Sequence, residues 1–69
     1  MAPHEERVIV EKQELDEKVK KLAAFTETDL FAGLKKDDQN LLIAQLGAME
    51  LYSHCLSARI ERFGEDDGL

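Results

Sequence analysis

Charged and polar side chains interrupt stripes of the sequence that are otherwise apolar. Gln45, Tyr52 and Arg59 are spaced seven residues apart, among leucines, alanines and methionine. Glu11 and Lys18 repeat the same spacing nearer the amino terminus. Burying a charge without a partner is costly, so these groups need either one another or a ligand.

Two interpretations of these side chains remain open from residue type and spacing. In the structural interpretation, Glu11 and Arg59 form an ion pair, Lys18 and Tyr52 hydrogen-bond or reach solvent, and the set fixes helix register. In the functional interpretation, a guanidinium, an ammonium and a phenol converge on an anionic ligand. Arginine offers phosphate a bidentate fork, lysine offers it a point charge, and tyrosine offers a base a flat face.

A first long helix is predicted over residues 3–25. Pro3 suits the first turn of a helix, since its missing N–H has no partner there in any case. Val8, Leu15 and Leu22 then recur every seven residues, which places them on one face of a helix.

A second long helix is predicted over residues 38–63. Its apolar positions are again seven apart, at Leu42, Met49, Leu56 and Phe63. Asp37 and Asp38 are expected to cap its start, and Gly64 to end it in a left-handed conformation. Between the two helices, residues 29–34 are expected to form a single apolar turn.

The expected fold is all-α, an antiparallel two-helix hairpin that forms one domain over residues 1–63, followed by a disordered acidic tail at 64–69. The second helix is apolar over more than half of its circumference, too wide an arc for one partner helix to cover. The residues of this arc are Leu41, Leu42, Ala44, Leu46, Ala48, Met49, Leu51, Cys55, Leu56 and Ile60. Self-association into a helical-bundle homo-oligomer is therefore expected.

Composition narrows the function further. The 69 residues include 9 Lys and Arg against 15 Asp and Glu, and a net charge of −6 argues against DNA or RNA as a partner. No apolar run is long enough to cross a membrane, and the acidic start Met1–Glu6 is unlike a signal peptide, so a cytoplasmic protein is expected.

Catalytic and metal-binding patterns are missing from the sequence. A single cysteine, Cys55, excludes an intrachain disulfide and a cysteine-based zinc site. His54 has only Glu50 one turn away, so we expect neither a metal site nor a cofactor. Without a nucleophile–base arrangement in a cleft, the protein is not expected to be an enzyme.

The spaced polar residues are Arg7, Glu11, Lys18, Gln45, Tyr52 and Arg59, and they stand in a frame of apolar positions that runs from about His4 to Phe63. This pattern resembles a family of very short bacteriophage and prophage proteins related to a crAss-like phage protein. Such proteins are similar to the phage "sponges" that counter bacterial antiphage signalling systems such as CBASS.

The resemblance implies a homo-oligomer that evades host immunity in the host cytoplasm. It would bind cyclic di- or trinucleotide messengers and sequester them intact. It also implies phosphate contacts for Arg7, Lys18 and Arg59, base stacking for Tyr52, and base recognition or orientation for Glu11 and Gln45. The alternatives are a helical module that binds another protein and an oligomeric scaffold without a ligand.

Overall fold

A computed structural model describes residues 2–64 of the chain. This part consists of three helices joined by short turns: α1 at Pro3–Phe25, α2 at Asp29–Ala32 and α3 at Lys36–Glu61. The prediction of an all-α fold is confirmed. The expected acidic tail lies outside the described residues from position 65 onward and stays a prediction.

Helix α1 begins where local chemistry favours it. Pro3 occupies the first turn, and the Ala2 N–H donates to the Glu5 Oε1 at 2.9 Å. Glu5 and Glu6 both stand in this first turn, where the helix dipole favours negative charge. The helix ends at Phe25, and the Thr26 hydroxyl then donates to a helix carbonyl, as expected of a side chain that competes with the helical backbone.

The connection between the long helices is held by side chains. The Thr28 hydroxyl accepts from the Phe31 N–H at 3.2 Å and so caps the four-residue helix α2. The rings of Phe25 and Phe31 meet edge to face, with centroids 6.0 Å apart. The Gln39 amide then donates to the carbonyls of Phe31, Ala32 and Leu34 at 3.0–3.2 Å.

Helix α3 starts two residues before position 38, where Asp37 and Asp38 were predicted to cap it. It begins at Lys36, with Lys35 as the residue before it and no side-chain cap, so Asp37 and Asp38 lie inside the first turn. There they interact with the positive end of the helix dipole instead of accepting a capping bond. The helix ends at Glu61, and Gly64 has a φ of 95°, the left-handed backbone that glycine adopts without strain.

The core lies between α1 and α3 and is small. In the described part of the chain its buried side chains are Val8 and Leu15 of α1 and Leu56 of α3, and of these Leu56 is completely inaccessible. Four half-buried residues pack around them: Val19, Met49, Ile60 and Phe63. A core this small contributes little hydrophobic stabilisation, because that term follows the apolar area removed from water.

Much of the apolar arc of α3 remains exposed. Leu41 and Leu51 leave 68% and 64% of their surface accessible. A helix packed on one side by α1 cannot bury so wide an arc. Within residues 2–64, no helix is both long enough and apolar enough to span a bilayer.

Candidate functional site

The α1 members of the predicted site lie along one flank of that helix. Arg7, Glu11 and Lys18 are all exposed, whereas Val8 and Leu15 are buried against α3. At 100° per residue, the three polar residues stand about 60–100° to one side of the buried stripe. They therefore lie beside the α1–α3 contact and not within it.

The α3 members form a second row, Gln45, Tyr52 and Arg59. All three are exposed, and Tyr52 leaves 45% of its surface accessible. The Gln45 amide lies 3.9 Å from the Met49 sulfur, a weak contact on the same helix. The expectation that this row is buried within the apolar arc is wrong for the single chain, because α1 covers only the neighbouring side of α3.

The contacts that the structural interpretation requires are not made in the described chain. Between residues 2 and 64, no ion pair joins Glu11 to Arg59 and no hydrogen bond joins Lys18 to Tyr52. Exposed side chains of this length stay solvated at little cost, so nothing forces them into pairs. The candidate residues are thus available to a ligand or to another chain.

A shallow concave surface of about 490 Å³ covers the first turns of α1. Among the candidate residues it includes Arg7 and Glu11, and Glu6 and Glu14 also line it. Three carboxylates beside one guanidinium make this surface unfavourable for a phosphate on its own. An anion would therefore have to meet Arg7 together with cations from elsewhere.

A polar cluster that sequence analysis missed joins the two long helices. The Lys12 ammonium lies 2.6 Å from the Asp16 carboxylate and donates to the Ser53 hydroxyl at 3.3 Å, and Ser53 in turn donates to Asp16. The hydrogen bonds from Lys12 and then Ser53 lower the pKa of Asp16 below its ordinary value of 3.8. The four-residue spacing of Lys12 and Asp16 was the available signal, but it does not reveal the third member on α3.

No metal centre emerges from the described chain. His54 and Cys55 are both exposed, and residues 2–64 contain no group of three His, Cys, Asp or Glu side chains placed to hold a metal ion.

Comparison with known proteins identifies a family for this chain. No curated protein and no solved structure matches the chain. The family model described as Sequestin matches residues 2–62, which include both long helices and every candidate residue. The chain therefore belongs to the Sequestin family.

Proposed function

We propose that this protein binds cyclic oligonucleotide second messengers of bacterial antiphage defence and sequesters them without cleavage. The family name is that of a sequestering protein, which agrees with a binding role. The observation that carries the proposal is the exposed set of six polar residues along α1 and α3. It contains three cations and one carboxylate on a chain whose net charge is −6.

The two rows of this set share one side of the protomer if α1 and α3 run antiparallel, as in the predicted hairpin with a short helical turn in its connection. Counted from Val8, the residues Arg7, Glu11 and Lys18 precede the contact stripe of α1 by about 60–100°, and counted from Leu56 the α3 row precedes its own stripe by about 20–60°. In an antiparallel pair, offsets of the same sign point to the same side. Lys12, Asp16 and Ser53, which contact one another, have offsets of the opposite sign on both helices, as this orientation requires.

The residue types suit a cyclic nucleotide. Arg7, Lys18 and Arg59 offer charge-assisted hydrogen bonds to phosphates. Tyr52 offers a ring for base stacking, while Gln45 and Glu11 offer hydrogen bonds to base edges. Because the overall negative charge slows capture of an anion, the three cations must act close together in a cleft that concentrates their field.

Oligomerisation would supply that cleft. A single exposed face cannot surround a ligand, whereas ligand sites commonly bury most of the ligand surface. A cyclic dinucleotide presents two phosphates and two bases in a ring with two-fold or near two-fold symmetry. A symmetric homo-oligomer presents the same arginine and tyrosine to both halves.

Binding without chemistry agrees with the residues of the site. We expect the messenger to stay intact, because the six residue types of the set suit binding and include no nucleophile–base pair. We place this activity in the host cytoplasm, as part of a phage-derived immune-evasion function, where the messenger is made and its effector responds. The acidic surface and the sparse distribution of cations make DNA or RNA an unsuitable partner.

Substitution of Arg59 tests this proposal. Arg59→Ala should weaken binding of a cyclic dinucleotide by about tenfold to a hundredfold, the cost of losing a charge-assisted hydrogen bond. Isothermal titration calorimetry with cyclic GMP–AMP and cyclic triadenylate measures this directly. Lys20→Ala is the matched control, since it removes the same charge from the other side of α1 and should leave affinity within about twofold.

Two outcomes contradict the proposal. If Arg59→Ala and Lys20→Ala weaken binding equally, the effect belongs to net charge and not to a site. If the wild-type protein binds no cyclic nucleotide while Arg59→Ala unfolds or dissociates the assembly, Arg59 has a structural role, and the ligand-free scaffold becomes the better account.

A further inference from the structure

Helix α3 carries a second apolar row that α1 leaves exposed. Its residues alternate at spacings of three and four, and every one of them is exposed: Leu41, Ala44, Ala48, Leu51, Cys55 and Ala58. This spacing is the heptad pattern of a helix that packs against another helix. We call these six residues the outer row of α3.

We propose that the outer row pairs with the outer row of a second copy of this chain, antiparallel, about a two-fold axis that passes between Ala48 and Leu51. Each layer of this interface contains one residue from each chain. There are three different layers, and the two-fold axis makes each of them occur twice. Leu41 lies opposite the partner's Ala58, Ala44 opposite the partner's Cys55, and Ala48 opposite the partner's Leu51.

Side-chain size supports this orientation. Both leucines of the row meet an alanine, so no layer holds two large residues, and the third kind of layer pairs two small ones. Interiors pack best when large and small side chains interdigitate. A parallel pairing would place Leu41 and Leu51 each against its own copy and Ala44 and Ala48 each against alanine, so the large side chains and the small ones would fall in separate layers.

A second copy suits this surface because the single chain lacks a core of ordinary size. Three of residues 2–64 are buried, whereas Leu41 and Leu51 expose about two-thirds of their surface. A self-complementary row buries both leucines of both copies with one contact, as two-fold interfaces do.

The register also bears on the candidate site. Gln45 comes beside the partner's Tyr52, so two copies bring their α3 rows together along one edge of the interface. This consequence rests on the proposed function, but the pairing itself does not, because its evidence is the outer row alone.

Engineered cross-linking tests the register without any nucleotide. Ala44→Cys should form disulfides with the partner's Cys55 under mild oxidation by diamide, giving a two-chain species on a non-reducing denaturing gel. Positions 44 and 55 of one helix are about 16 Å apart, too far to bridge within a chain. Glu50→Cys is the matched control, since its cysteine lies on α3 away from the outer row and should leave most of the protein as single chains.

The wild-type protein tests the parallel alternative. A parallel pair would place Cys55 against the partner's Cys55, so cross-linking of the wild-type protein would overturn the proposed register. Equal cross-linking of Ala44→Cys and Glu50→Cys also overturns it.

Native mass is the second measurement. We expect an even number of 7.8 kDa chains. Leu51→Lys should lower the number of chains in the assembly. Leu30→Lys, at a position 75% exposed on α2, should leave that number unchanged. A wild-type single chain at tens of micromolar, or an odd number of chains, contradicts the proposal.

Discussion

Two lysines of α1 show how position decides the role of a residue. Lys12 points into the α1–α3 boundary, where it contacts Asp16 and Ser53. Lys18 stands on the exposed flank and makes no such contact within residues 2–64. Sequence spacing singled out Lys18 because it falls in the apolar stripe of α1, whereas the four-residue spacing of Lys12 and Asp16 gave no sign of a contact with α3. The difference arises from the partner helix, which one-dimensional periodicity does not include.

The Asp16 cluster predicts a dependence of stability on pH. Because its pKa is lowered in the folded chain, the carboxylate contributes stability above about pH 4, and this contribution is lost as the pH falls through the folded-state pKa. Asp16→Asn should therefore flatten the acid side of the stability profile. Chemical denaturation followed by circular dichroism between pH 3 and pH 6 measures the slope.

Glu17→Gln is the control for this prediction, since Glu17 is exposed on the same helix without a hydrogen bond in the described chain. It should leave the slope close to that of wild type. An equal flattening in both variants would assign the effect to total charge and not to the cluster.

At the scale of elements, the connection is the part that sequence patterns described least well. The apolar turn at residues 29–34 was expected, and the structure shows the four-residue helix α2 there. The role of Gln39 was not foreseen, because an amide that satisfies carbonyls five to eight residues earlier has no periodic signature. Helix α3 begins at Lys36, two residues before its predicted start. Spacing could not decide this start, because aspartates favour both capping and first-turn positions.

Gln39 is predicted to stabilise the whole domain through this connection. Gln39→Ala removes the donor for three carbonyls and should lower the free energy of unfolding by about 1–2 kcal/mol. Urea denaturation gives the change, and Gln13→Ala, an exposed glutamine on α1, is the control. If Gln39→Ala is as stable as Gln13→Ala, water replaces the amide and the connection does not depend on it.

At the scale of the whole molecule, the chain joins a small core to two exposed features, the outer row of α3 and the six polar residues beside it. Periodicity predicted the two long helices and the excess of apolar surface, because both follow directly from residue spacing. It did not show which part of that surface α1 covers. Gln45, Tyr52 and Arg59 were expected inside the arc, but all three are exposed in the single chain, where a ligand or a second copy can reach them.

Native mass spectrometry of the purified protein, alone and with cyclic GMP–AMP, cyclic triadenylate and cyclic ADP-ribose, tests sequestration most directly. It reports the number of chains and the mass of any bound ligand together. We expect a symmetric oligomer that gains the intact mass of a cyclic nucleotide and retains it on incubation. A stable oligomer that gains no mass from any of these compounds, or one that releases a hydrolysed product, would contradict the account.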